Sequence, residues 1–277
     1  MKLCRFQPLE FDAHQLTCAA RETRPTPRAG IIEGDKIHEI RGELNGSRER
    51  TGKTWPLDQI KFLPPSAPSK IVCVGRNYQD HAKELGNAVP ALPLIFLKPP
   101  SSVIAPEEPI VLPRISQRVD YEGELAVVIG RSCYHLKDDE SAAPYILGYT
   151  CLNEVTARDL QKLDGQFTRG KGFDTFCPFG PVLETQIDPA GVTVETYQNG
   201  IRKQSGHTSE MIFSVDVIIR FIAQVMTLEP GDLLVTGTPE GVGPLVAGDV
   251  LEVEIVSGDG QTSLGILRER VGLEPPV

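Results

Sequence analysis

The hydrophobic positions of this chain fall in short runs. Residues 70–74, 94–97, 109–112, 124–129, 145–150, 192–197, 232–236 and 250–256 are each dense in apolar, β-branched or aromatic residues, and Gly, Pro or Asp punctuates them. Runs of this length and composition predict strands. One segment has a different period. From 214 to about 226, Val215, Ile218, Ile219, Ile222, Val225 and Met226 recur at helical spacing, and Ser214 stands where an N-cap belongs. The expected fold class is mainly β with few helices.

The pattern divides the chain in two. Up to about residue 62 the strand-like pieces are short, the clearest being a hairpin with arms 29–32 and 37–40 around the turn Glu33-Gly34-Asp35-Lys36. The stretch 63–69 contains Pro64, Pro65 and Pro68, which lack amide donors and favour extended backbone, so it reads as a stiff connector. The organisation expected is a small N-terminal β-rich module over 1–65 and a catalytic domain over 70–277.

Composition narrows the function classes. The chain has 277 residues, 40% hydrophobic and 23% charged, the profile of a globular protein with a sizeable core. Its formal net charge is -9 and no block of Lys and Arg stands out, which argues against nucleic acid or an anionic membrane as partner and leaves a small molecule. No apolar run approaches the roughly 20 residues of a membrane span, and the first residues lack the apolar core of a secretory signal, so the expected location is cytoplasmic. The six cysteines, Cys4, Cys18, Cys73, Cys133, Cys151 and Cys177, form no Cys-x-x-Cys pair and read as reduced, mainly buried thiols. A nucleophilic role for Cys151 or Cys177 stands as a rival reading.

The candidate chemistry is acidic. Glu122 and Glu124 are two residues apart at the head of the apolar run 125–129, and in a strand such residues share a face. Two like charges held side by side against a core are costly unless protons or a cation neutralise them, and a hard divalent metal is the simplest neutraliser. A third acid, Glu154, follows the strand-like segment 145–150 and is the natural third ligand. Solvated decoration of an exposed strand is the alternative. His81 and Glu84 lie three apart in a segment that reads as a loop opening a short helix; carboxylate against imidazole suits proton abstraction from water, and is equally the pattern of a surface ion pair. Lys171, flanked by Gly170 and Gly172, balances the charge that three carboxylates leave around a dication, or holds an enolate oxygen, or is a loop lysine. The glycine-rich turn 236–243 lacks the lysine of a phosphate loop and brings backbone close to a substrate.

Taken in order, GRNYQDHAKE, FLKPPSSVIAP, DYEGELAVVIG, NEVTARDLQ, RGKGFDTFCPFGP, SEMIF and GDLLVTGTPEGVG resemble the fumarylacetoacetate hydrolase superfamily over about residues 70–270, within the group that includes acylpyruvate hydrolases, oxaloacetate decarboxylases and oxaloacetate tautomerases. The resemblance implies a mixed β-roll after the N-terminal module, and a homodimer built through the large domain. It implies a divalent metal, usually magnesium with manganese or calcium as substitutes, on Glu122, Glu124 and Glu154. It assigns catalysis to His81 and Glu84, on a helix that orders as a lid, and to Lys171. It places substrate contacts on Arg76, Gln161 and the turn containing Thr236. One position departs from the pattern: the third ligand is normally Asp, and here it is Glu154, longer by one methylene.

The function expected is metal-dependent cleavage of a C–C bond in a small 2,4-diketo or 2-oxo-dicarboxylic acid through a stabilised enolate, with oxaloacetate keto-enol tautomerisation as the alternative. A non-enzymatic binder of the same fold is a further rival, and the Glu154 departure is what supports it.

Overall fold

A computed structural model describes residues 1–9, 26–84, 86 and 88–275, so Cys18 lies outside the described residues. The N-terminal part supplies β1 (Lys2–Pro8), β2 (Arg28–Glu33), β3 (Lys36–Ile40), β4 (Arg50–Pro56) and β5 (Ile60–Leu63). β2 and β3 are the expected hairpin, paired Ile32 to Ile37 across its turn.

After the connector come β6 (Ile71–Gly75), α1 (Gln79–Glu84), β7 (Leu94–Lys98), β8 (Val103–Ile104), β9 (Ile110–Leu112), β10 (Val119–Tyr121), β11 (Gly123–Ile129) and β12 (Ile146–Asn153). They are followed by β13 (Thr156–Ala157), α2 (Arg158–Asp164), α3 (Phe167–Lys171), β14 (Cys177–Glu184), β15 (Val192–Gln198) and β16 (Ile201–His207). The chain ends with α4 (Val215–Val225), β17 (Leu233–Val235), β18 (Gly243–Pro244), β19 (Val250–Ser257) and β20 (Ser263–Leu273). The architecture is mainly β with few helices, as the hydrophobic pattern predicts. α4 is the helix read from the sequence, and the Ser214 hydroxyl accepts a hydrogen bond from the Val217 amide at its start.

Three sheets form. A 12-stranded sheet runs β4-β3-β2-β1-β14-β12-β11-β17-β6-β7, with β5 on β1 and β8 on β14; a 5-stranded sheet runs β16-β15-β19-β20-β9; and β13-β10-β18 make a small third sheet. The first strand of the N-terminal part is thus sewn into the large sheet, Leu3 pairing with Leu183 of β14. β11 is buried along its whole length. Its Leu125, Val127 and Ile129 enter a core shared with α4 and the 5-stranded sheet, while Ala126 and Val128 enter a second core with Leu3, Ile31 and Phe179. Burial on both faces explains why this strand reads as an unbroken apolar run.

The sequence suggested one strand carrying both Glu122 and Glu124. The structure breaks it at Glu122: β10 pairs with β13 and β18, whereas β11 pairs with β12 and β17. The change of partners turns the backbone where the acids begin.

Candidate active site

β11 and β12 are antiparallel with Gly123 opposite Asn153, so Glu122 and Glu154 are the next facing residues. Their backbones are clamped: the Glu154 amide donates to the Glu122 carbonyl at 2.7 Å, and the Glu122 amide to Asn153 Oδ1 at 3.0 Å. Glu124 lies two residues along β11. The carboxylates of Glu122, Glu124 and Glu154 are all buried, and one oxygen from each lies within 4.8 Å of the others. They sit at the base of a cavity of about 470 Å³.

Cations enclose the acids. Lys171 Nζ donates to Glu122 Oε2 at 2.9 Å and also to Glu154 Oε2. It is the last residue of α3 and its side chain is 5% exposed, so it is a buried helical lysine rather than a loop lysine. Lys98, at the end of β7, donates to Glu154 Oε1 at 2.8 Å and to the Val155 carbonyl at 3.3 Å, with its side chain fully buried. Arg158, the first residue of α2, donates from Nε to Asp120 at 3.0 Å, from Nη1 to Gln161 Oε1 at 2.9 Å, and from Nη2 to Glu122.

These contacts set the charge states. Burial pushes the Glu122 carboxyl up, but Lys171, Arg158 and His81 outweigh it and hold the group well below the usual carboxylate range. Burial also dominates at Glu124, where Glu154 and Glu122 add to it, and this carboxyl is raised far above its ordinary value. Its hydrogen-bond donor is a backbone amide, that of Gly237 at 2.5 Å. Burial would lower Lys171, yet Glu122 and Glu154 hold it above the usual ammonium value.

The donor set fits a hard dication. The three acids offer oxygen only, the ligand chemistry of magnesium, manganese or calcium. Glu124, buried with like charges and without an ion-pair partner among the described residues, is the carboxylate that must otherwise keep its proton. Among the described residues this is the one such cluster of potential ligands.

His81 and Glu84 are brought together on α1, with His81 Nδ1 3.4 Å from Glu84 Oε2, and His81 is buried and lines the cavity. The turn after β17 serves the acids. Gly237 (φ 99°) and Gly241 (φ 96°) adopt backbone conformations that side chains disfavour; a Cβ at Gly237 would meet Asn77 at 2.7 Å, and one at Gly241 the Lys203 carbonyl at 2.2 Å. The Gly237 amide donates to Glu124 and the Gly241 amide to Glu84, at 3.2 Å. These two amides are therefore committed to protein acceptors, while Thr238 of the same turn lines the cavity.

Arg76 and Gln161 line the cavity, and Thr236 does not. The Thr236 hydroxyl donates to the Leu125 carbonyl at 2.9 Å, and Thr238 is the residue of that turn on the cavity wall. Phe96 and Phe167, packed edge to face with centroids 5.2 Å apart, form an apolar wall, and Lys171 Nζ lies 4.8 Å from the Phe96 ring centre.

Sequence reasoning missed Lys98 and Arg158. Arg158 stands four residues after Glu154 in TARD, and Lys98 stands in FLKPP with no acid near it in sequence, and nothing local says that these side chains turn inward. The cysteine rival finds no support in geometry. Cys4, Cys73, Cys133, Cys151 and Cys177 are free and buried, and none lines the cavity. Burial pushes Cys177 up to about 12 and Cys151 higher still, so neither offers a thiolate.

Known proteins share this arrangement's scaffold. A family profile described as "Fumarylacetoacetate (FAA) hydrolase C-terminal" matches residues 70–272, and one described as "Rv2993c-like, N-terminal" matches residues 22–65. An uncharacterized protein of Methanocaldococcus jannaschii is 51% identical across 86% of this chain and 95% of its own. A human protein named as a mitochondrial oxaloacetate tautomerase is 43% identical across 72% of this chain and 68% of its own. The crystal structure of maleylpyruvate hydrolase from Sphingobium sp. SYK-6, in complex with manganese(II) and pyruvate, superposes with a TM-score of 0.76 at 28% identity, covering 99% of this chain and 100% of that one. With a profile match running from the connector to β20 and enzymes among the relatives, the chain belongs to the fumarylacetoacetate hydrolase family.

Proposed function

We propose that this protein is a divalent-metal-dependent enzyme that cleaves a C–C bond in a small 2,4-diketo or 2-oxo-dicarboxylic acid. The observation that carries the reading is the convergence of Glu122, Glu124 and Glu154 at the base of a cavity whose walls hold His81 and Lys171. A dication, magnesium or in its place manganese or calcium, would be held by the three glutamates and would supply positive charge beside the carboxylate and keto oxygens of a 2-oxo acid.

The protein's own groups do the rest. Glu84 orients His81, which takes a proton from a water as the water adds to the distal carbonyl. As the C–C bond breaks, negative charge collects on the keto oxygen of the departing pyruvate, and the Lys171 ammonium stands beside that charge. Arg76, for which the described residues offer no carboxylate partner, together with Lys162 at the cavity mouth gives positive charge for the far end of an anionic substrate. Phe96 and Phe167 exclude water from one side.

The human relative's name favours a second reading, in which His81 moves a proton at C3 of oxaloacetate and no C–C bond breaks. Acetylpyruvate, fumarylpyruvate, oxaloacetate and enol-oxaloacetate, each assayed with magnesium and then with chelator, separate the two. Turnover of at least one, lost in chelator and lost in a folded Glu122→Gln variant, is expected. Activity that survives chelation and disappears on thiol alkylation would overturn the proposal.

A further inference from the structure

Lys98 is a cation that neither the family resemblance nor the proposed chemistry uses, although it is among the largest fully buried side chains. Its ammonium has two acceptors, Glu154 Oε1 and the Val155 carbonyl. Glu154 therefore gives one oxygen to Lys98 and the other to Lys171. In the buried contact network Asp120, Glu122, Glu124 and Glu154 are four carboxylates and Lys98, Arg158 and Lys171 are three cations, while Arg118 on Asp120 is exposed to solvent. With every acid ionised and a dication bound, the buried network carries one positive charge in excess, which it would not carry without Lys98. Such an excess is unfavourable in a low-dielectric interior, and an anionic ligand offsets it.

We propose that Lys98 is a positioning residue which, by holding one oxygen of Glu154 and adding its buried charge beside the acidic cluster, makes a dication bind weakly alone and tightly together with an anionic 2-oxo acid. The inference rests on the proposed function, since it takes the three glutamates as the ion's ligands. It also gives the longer side chain at position 154 a role. Glu154 spans from the cluster to Lys98, and the coupling keeps the ion loosely held until substrate arrives.

The test is calorimetric titration of manganese into the parent, Lys98→Met and Lys98→Gln, each with and without oxalate, an unreactive dianion with two adjacent carboxylates. In the parent, oxalate is expected to tighten manganese binding about tenfold or more, the scale of a typical coupling between two ligands. In Lys98→Met, manganese alone is expected to bind about tenfold or more tighter than in the parent, because one buried positive charge beside the ligands is gone, and the gain from oxalate shrinks. Lys98→Gln keeps a donor for Glu154 and Val155 while removing the charge, and is expected to behave the same way. Manganese binding that is unchanged or weaker in a folded Lys98 variant would overturn the inference, as would a parent whose manganese affinity ignores oxalate, a result that needs no variant to fold. A parent that binds no manganese under either condition instead sinks the proposed function, so the two failures are distinguishable.

Discussion

Glu269 is a buried acid that the candidate site does not use. It lies on β20 opposite Leu251 of β19, it is fully buried, and among the described residues no donor reaches either of its oxygens. Burial pushes its carboxyl well above the ordinary value, with Glu252 adding to the effect. The sign for stability follows. Below the unfolded-state value both states carry the proton; as pH rises past it the unfolded chain ionises while the folded one does not, so stability falls by up to about 1.4 kcal/mol per pH unit until the folded group titrates. Glu269→Met, similar in volume and without charge, is expected to melt above the parent at pH 8, with the gap closing towards pH 4.5. An equal gap at both ends, read by thermal melts, would refute the assignment. Such residues show what a sequence discloses. Glu122 and Glu124 are legible because two acids separated by one residue at the head of an apolar run stand out in the sequence itself. Lys98 and Arg158 are not, because their partners Glu154 and Glu122 lie 56 and 36 residues away and only the fold brings them together.

At the scale of elements, α1 is too short to persist alone, since an isolated helix of this length does not offset its nucleation cost. Contacts from other elements hold it. Tyr78, at its entry, bridges to Met211, and Glu84 at its end accepts the Gly241 amide, tying the helix to the turn whose other glycine serves Glu124. Glu84 therefore orients His81 and docks the helix at once. Glu84→Ala is expected to lower kcat by about 100-fold, the range of a lost general base. Glu84→Gln keeps an acceptor for Gly241 and is expected to retain more activity, with manganese binding unchanged in both. Equal losses in the two variants would mean that the charge beside His81, not the docking, accounts for the whole effect. The same scale shows where sequence patterns stop. β14 contains Pro178, Gly180 and Pro181 yet is wholly buried, and its punctuation reads as loop. On β20 the inward positions are Leu267, Glu269 and Val271, so a charged residue interrupts the alternation that marks a half-buried strand. α2 and α3 are short, and their cavity-facing residues Arg158, Gln161 and Lys171 are polar, which erases the apolar stripe of an ordinary helix.

For the whole molecule, two family profiles meet at the proline-rich connector, yet the large sheet crosses that boundary. β1 lies between β2 and β14, and the Met1 ammonium reaches Glu184 at 2.5 Å. Leu3, Ala29, Ile31, Ile40 and Leu44 enter the same core as Phe179, Leu183 and Leu152. The N-terminal strands β1 and β2, with Ile40 and Leu44, thus pack into one core of the large sheet, and β1 pairs with β14. Fully burying a large aliphatic side chain contributes about 1.5–3 kcal/mol, so exposing this core forfeits an amount comparable to the roughly 5–15 kcal/mol that holds a typical domain together. β14 is also the neighbour of β12, whose end sets Asn153 and Glu154, so the loss reaches the site through one shared strand. A chain of residues 66–277 is expected to aggregate or to melt well over 10 °C below the parent, on the roughly 2–4 °C per kcal/mol that domains of this size show. Leu3→Ala, which removes one buried side chain and leaves every strand in place, is expected to cost about 2–5 kcal/mol. If the truncated chain instead melts with the parent and binds manganese as tightly, the N-terminal strands are an appendage and the 12-stranded sheet is not one cooperative unit.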